Sequence, residues 1–268
     1  MCRVLEVSRS GYYSWKRREP SSTALRREVV TSKIDELFEF FKKRYGASRL
    51  TRELNAKGIA CSHNYVASLL RDLGLRARNG KRFKYSRPNN LKKNIQPNLL
   101  ARAFNAERPN EKWVTDITYI WVNGKWLYLA AVMDLFSKAI VGWSLDNHMM
   151  NSLIKDAFEM AVSRRKITPD LIVHSDQGIQ YRSNEYQEYL QSHGCQLSMS
   201  RKGNCWDNAA MESFFSRLKV ELVYAEQFKN FEQAKLLIFE YIEVFYNRVR
   251  RHSANNYLSP MQFEQQFQ

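Results

Sequence analysis

Three consecutive runs of apolar, β-branched and aromatic residues begin at Trp113: WVTDITYIWV, KWLYLAAVMD and KAIVGWSLD. Asn123-Gly124 separates the first two, and Asn-Gly readily takes the positive φ angles of a two-residue hairpin turn. A helical pattern follows over 152–165, then a short apolar strand, LIVHSD. Another helix over 183–193 leads to the strand CQLSMS, a glycine loop RKGNCWDN and a long helix over 208–222. A last helix is expected over 231–246. Three antiparallel strands followed by helix, strand, helix, strand, helix is the order of an α/β mixed sheet with helices on both faces.

Charge divides the chain differently. Residues 1–110 hold 25 Lys and Arg against 9 Asp and Glu, whereas 111–268 hold 17 against 18, so the formal net charge of +15 originates in the front part. A basic arm on a near-neutral body suits a polyanion binder with a separate working domain. A solubility tail is the plainer alternative, but this arm carries amphipathic helices. A hydrophobic fraction of 44% excludes global disorder. The sequence has no uncharged apolar run long enough to span a membrane, and MCRVLEVSRSGYYSWKRR lacks the apolar stretch of an export signal. Cys2, Cys61, Cys195 and Cys205 form no C-x-x-C pair, which fits reduced thiols and offers no zinc site. A cytoplasmic, nucleoid-associated protein is expected.

Within the arm, apolar spacing predicts a helix over 23–45, with Leu25, Val29, Ile34, Leu37, Phe38 and Phe41 on its stripe and Gly46 at its end. Shorter helices are expected over 48–57 and 63–73, the latter capped by Ser62. That is a helix-turn-helix pattern. On its last helix Val66, Leu69, Leu70 and Leu73 would face inward, and His63, Asn64, Ser68 and Arg71 outward toward DNA. A three-helix bundle for protein contacts is the alternative. The expected organisation is a basic segment over 1–22, the helix-turn-helix domain over 23–75, a basic linker over 76–110, a catalytic core over 111–228 and a helical extension over 229–268.

Three acids stand out by placement. Asp116 lies inside the first strand, Asp176 ends the fourth, and Glu212 sits one turn into the long helix. A buried carboxylate in a strand is costly unless paired or metal-bound. Mg²⁺ takes carboxylate oxygens, and two such ions about 3.5–4 Å apart can bracket a phosphodiester. Asp176 as a cap and Glu212 as a first-turn charge are the structural alternatives.

WVTDITYI, HSDQGIQY and GNCWDNAAMESFF, with 35 residues between Asp176 and Glu212, resemble the D-D-35-E signature of retroviral-integrase-type recombinases. VSRSGYYSWKRR, RYGASRLTRELNAKGI, MDLFSKAIVGW and YNRVRRHSANNYLSP extend the resemblance to the insertion sequence three family, and to its second-reading-frame product in particular. The resemblance implies a ribonuclease-H-like catalytic core in which Asp116, Asp176 and Glu212 are the metal ligands. It implies two Mg²⁺ per site, with Mn²⁺ as a substitute. It also implies a transposase that cuts double-stranded DNA at terminal inverted repeats and transfers the freed 3′-OH to target DNA, working as a homo-oligomer on DNA. A partner from the upstream frame, or a fusion to it, is a further expectation. A silent DNA-binding regulator and a ribonuclease-H-like nuclease are the rival readings.

Further residues join the expected site. Lys219, seven after Glu212, shares its helix face and would hold DNA, as would Arg248, Arg250, Arg251 and His252 in NRVRRHSA. Trp206 would stack on an unpaired base or cap the core. Asp134 would support the site from behind its ligands, or make a strand-ending Asx turn. His174 would orient a ligand, contact DNA or be structural.

Overall fold

The computed structural model describes residues 2–78, 94–201 and 205–267, with the side chains of 205 and 206 outside that description. The chain forms two compact units, Met1–Arg78 and Asn79–Gln268.

The first unit is all-helical: α1 (Arg9–Arg17), α2 (Ser22–Phe40), α3 (Ala47–Ala56) and α4 (His63–Asp72). Hydroxyls start three of them, Ser8, Ser21 and Ser62 accepting the amides of Gly11, Ala24 and Tyr65. α2 stops well short of residue 45. Lys42 and Lys43 take φ of 52° and 60° and reverse the chain, and Phe41 then stacks on Tyr45 with ring centroids 4.0 Å apart. Gly46 therefore precedes α3 as its N-cap and does not end α2. The buried face of α2 is Val30, Ile34, Leu37 and Phe38, while Leu25 and Val29, expected on the stripe, are exposed. On α4 Val66, Leu69 and Leu70 are buried, and His63, Asn64 and Arg71 are exposed as expected. Ser68 is half-buried, and Leu73, at the C-cap where the helical face ends, is exposed.

The second unit is built on a five-stranded sheet of β1 (Lys112–Val122), β2 (Lys125–Asp134), β3 (Ile140–Asp146), β4 (Ile172–Ser175) and β5 (Gln196–Met199), in the order β3-β2-β1-β4-β5. β1, β2 and β3 are antiparallel, and β4 and β5 extend the sheet in parallel. Asn123 and Gly124 take φ of 41° and 83° at the hairpin, with Trp121 paired to Trp126 beside the turn. α5 (Asn151–Arg164) and α6 (Asn184–Ser192) contribute to the core on one face. α7 (Ala209–Leu218) and α8 (Phe231–Phe239) contribute to the core on the other. Gly142 of β3 is required by a close helix: a Cβ there would lie 2.1 Å from the Ala157 carbonyl oxygen of α5.

Two expectations about the outer segments change. Residues 79–93 of the expected linker lie outside the described residues, but 94–110 are part of the sheet unit. Leu100 is buried in the α7-side core, and the amides of Leu99 and Leu100 both donate to Ser198 Oγ, at 2.9 and 3.2 Å. An apolar anchor and satisfied backbone groups outweigh the Lys/Arg composition of the wider stretch. The last forty residues likewise close the same core and are no appendage. Ile238, Ile242 and Tyr246 are buried in it, and the Asn247 side chain bonds both the N–H and the carbonyl of Ile140, each at 2.9 Å. α7 and α8 each pass into a π-helical stretch, Lys219–Val223 and Glu240–Tyr246, where single continuous α-helices are expected from the sequence. The short α9 (Pro260–Glu264) opens on a Ser259–Gln262 capping box.

Candidate active site

β1 alternates across the sheet. Trp113 and Ile117 enter the α5-side core, and Val114, Ile120 and Val122 the α7-side core. The two-residue period therefore puts Asp116 on the α7 face. β4 lies parallel to β1 with Lys112 opposite Ile172, Trp113 opposite Val173 and Val114 opposite His174. That stagger, carried two residues further, sets Asp176 alongside Asp116. Both carboxylates act on Tyr181, whose hydroxyl lies 3.2 Å from Thr115 Oγ1. Burial holds this phenol well above its ordinary range, and the charges of Asp116 and Asp176 add to the effect. Asp176 Oδ1 accepts the Gly178 amide at 2.8 Å, which fixes its rotamer at the strand end.

Glu212 stands on the exposed side of α7, one turn in. Its helix is tied to the sheet by Asn208, which is buried and donates its amide to the Thr115 carbonyl at 3.3 Å. Desolvation lifts the Glu212 carboxyl above its ordinary value. Among the described residues no three His, Cys, Asp or Glu converge closely enough to hold one ion. Asp116 lies in β1, Asp176 directly follows β4, and Glu212 belongs to the helix tied to the sheet beside Asp116. Lys219, half-buried at the end of α7, is pulled below its ordinary value by burial, with the Asp116 charge opposing.

Other expected site residues are placed elsewhere. Asp134 is fully buried, accepting the amides of Asn110 and Phe136 at 2.9 Å each. Burial pushes its carboxyl up to about 6, and the neighbouring charges are Glu264 and Arg165. It is the strand-ending Asx turn and not a support for the acids. Arg250 is no surface cation: it grips Glu221 through Nε at 2.9 Å and Nη2 at 2.7 Å, and Tyr241 Oη donates to the same carboxylate. Arg251 Nη1 donates to the Tyr257 carbonyl at 3.1 Å, and His252 is half-buried with its ring edge-on to Tyr246. Of the basic residues in that turn only Arg248 is exposed. The Trp206 side chain lies outside the described residues.

His174 is buried with both ring nitrogens engaged. Ser198 Oγ already accepts two amides, so its hydrogen goes to His174 Nδ1 at 2.8 Å, leaving Nε2–H for Ser200 Oγ at 3.2 Å. Burial depresses the imidazole to about 4. A neutral histidine with no open nitrogen cannot ligate an ion or contact DNA, so its role is structural.

Sequence reasoning missed Tyr181, Asn208 and Asp207. Asp207 is buried and accepts from Arg201, Arg102 and Asn98. Its hydrogen bonds to Arg201 hold it far below the usual carboxylate range. The available signal was an acid at the front of an apolar helix with Arg201 six residues before it.

Known families and proteins similar to this chain cover most of its length. The integrase core domain family matches residues 106–205, a second integrase core domain family matches 212–267, and an HTH-like domain family matches 25–83. Transposase InsF for insertion sequence IS3A of Escherichia coli K12 is 47% identical over 98% of this chain and 92% of its own length. The transposase for insertion sequence element IS904 of Lactococcus lactis is 44% identical over 92% of this chain and 98% of its own. A simian T-cell lymphotropic virus intasome chain superposes with a TM-score of 0.49 at 16% identity, over 86% of this chain and 74% of that one. With an integrase core behind a helix-turn-helix-like domain, and near-half identity along almost its whole length, the chain belongs to the IS3 family of insertion-sequence transposases, enzymes of the polynucleotidyl-transferase type.

Proposed function

We propose that Asp116, Asp176 and Glu212 are the catalytic acids of a DNA strand-transfer site that cuts at the ends of an insertion sequence and joins the freed 3′-OH to target DNA. What carries this reading is the register of β4 against β1, which sets Val114 opposite His174 and runs on toward Asp116 and Asp176 just beyond, with the helix bearing Glu212 tied through Asn208 to Thr115. Two aspartates with hard oxygens fit Mg²⁺, which needs only one or two carboxylates beside water and phosphate oxygens. Two Mg²⁺ ions, or Mn²⁺ in their place, would activate the attacking oxygen and stabilise the leaving one. Asp116 and Asp176 would hold them from the sheet side and Glu212 from the helix. Lys219, which feels the Asp116 charge, offers its ammonium to the phosphates around the acids.

The exposed His63, Asn64 and Arg71 of α4 suit contact with double-stranded DNA, in keeping with the HTH-like match. Arg248 suits a phosphate contact, and Trp206 an unpaired base. Joining two element ends calls for more than one copy of the chain on DNA, and a partner from the upstream frame fits the same need. No helix among the described residues is long and apolar enough to cross a membrane. Work on chromosomal DNA places the chain at the cytoplasmic nucleoid.

The test is strand transfer from a pre-cleaved terminal-repeat oligonucleotide into a plasmid with Mg²⁺ or Mn²⁺, comparing the wild type with Glu212→Gln. Joined product that disappears in the variant supports the reading. Binding without joining in either protein favours the regulator, and nicking without joining the nuclease.

A further inference from the structure

Asp207 is one carboxylate held by two arginines. Arg201 donates through Nε and Nη2 at 3.0 Å each and through its backbone amide at 3.0 Å, and Asn98 Nδ2 adds a contact at 3.1 Å. These bonds already give the carboxylate four donors, three of them on Oδ2. Arg102 nonetheless brings a second guanidinium, with Nε 2.9 Å from Oδ1. Arg102 and Arg201 keep side-chain exposures of 47% and 60%, against 1% for Asp207. Elsewhere in the same unit a one-to-one pair, Arg250 with Glu221, is sealed at 3% exposure on both sides. The Asp207 cluster instead carries a surplus positive charge and turns most of its guanidinium N–H donors outward.

Its position gives that surplus a purpose. Ser175 of β4 pairs with Met199 of β5, and Gln177 Nε2 holds the Ser200 carbonyl at 2.9 Å, so Arg201 leaves the sheet at the same end as Asp176. Asp207 directly precedes Asn208, which is anchored beside Asp116. A planar fork of this kind matches the oxygens of a phosphodiester.

We propose that Arg102 and Arg201 bind a phosphate of the DNA strand presented to the three acids, with buried Asp207 fixing both guanidinium planes. This rests on the reading of Asp116, Asp176 and Glu212 as the reacting site. Asp207 acts through the arginines as a positioning residue.

The test uses the full chain and a labelled pre-cleaved terminal-repeat duplex, with binding measured across a salt series. Arg102→Gln leaves Asp207 its bonds to Arg201 and Asn98, so its melting curve reports whether the fold is kept. The slope of log affinity against log salt is expected to become shallower by about 1, the signature of one lost phosphate contact, with several-fold weaker binding. Arg102→Lys, which keeps the charge, restores the slope. A wild-type slope in Arg102→Gln, with only a lower Tm, overturns the proposal and leaves a structural clasp. Asp116→Asn run beside it separates the two readings. Joining that survives Asp116→Asn refutes the acids' role, whereas acid-dependent joining with an unchanged Arg102→Gln slope refutes only the phosphate fork.

Discussion

Arg250 and Glu221, 29 residues apart, form a two-bond ion pair in the interior of the sheet unit, with Tyr241 Oη bound to the same carboxylate. Removing one partner of such a pair strands the other as an uncompensated buried charge. Arg250→Met is therefore expected to cost about 3–5 kcal/mol in urea unfolding. Any fall in DNA affinity should follow the lost folded fraction. A stable variant with selectively weaker DNA binding would restore Arg250 as a surface contact.

Gly142 faces the α5 backbone, where an added Cβ would meet Ala157 O at 2.1 Å and Ala161 N at 2.7 Å. Backbone cannot swing aside, so the helix must lift from the sheet. Gly142→Ala is expected to cost about 1–3 kcal/mol or more, read as a lowered Tm. An unchanged Tm would mean that α5 packs further from β3 than described.

Gly178 presents the opposite case. A Cβ there would lie 2.9 Å from Asp176 Oδ1, a side-chain atom held in place by its bond from the Gly178 amide and able to move only by straining that bond. Gly178→Ala should keep its stability to within about 1 kcal/mol, since the clash is relieved by moving the carboxylate. Strand transfer should drop by up to about 100-fold, the effect of a misplacement of about 1 Å at a reacting centre. Full activity in a folded Gly178→Ala protein would mean that the added methyl leaves the Asp176 carboxylate in place.

Asp134 gives stability a pH dependence of known sign. Burial raises its carboxyl from the ordinary 3.8 to about 6, the Asn110 and Phe136 amides and Arg165 opposing and Glu264 assisting, while Lys138 faces it as a cation. The folded state thus binds this proton more tightly than the unfolded chain. Its contribution falls as pH rises from about 4 through 6 and is flat above. The stability of wild type relative to Asp134→Asn should decline by about 2 kcal/mol between pH 4 and pH 7. A difference that stays constant in urea melts across that range would contradict the shift.

Much of the candidate site was legible because it rests on local signals. Asp116 interrupts an apolar strand, Asp176 ends one before a glycine, and Glu212 rides the first turn of a helix whose apolar face is Met211, Phe214, Phe215 and Leu218. Asn123-Gly124 marked the hairpin, and Ser62 the start of α4. Each depends on a neighbour within a few residues, and backbone sterics or periodicity read such neighbours directly.

Long-range partners were another matter. By composition 94–110 is linker, yet Leu100 is buried in the core and Ser198 takes its amide. NRVRRHSA reads as a phosphate-binding turn, yet Arg250 is spent on Glu221. His174 shares a strand face with Asp176 but is closed off by Ser198 and Ser200. Asp207 carries no periodic signature, and one of its arginines comes from 105 residues earlier.

The sequence alone determined the strands and most helices and singled out the three candidate acids, since hydrophobic period and turn chemistry act over one or two turns of chain. Only the tertiary structure decided which charges remain facing solvent and which are consumed in pairs. That outcome depends on which distant surfaces meet, because the desolvation of a buried charge must be offset by a partner the local sequence does not contain.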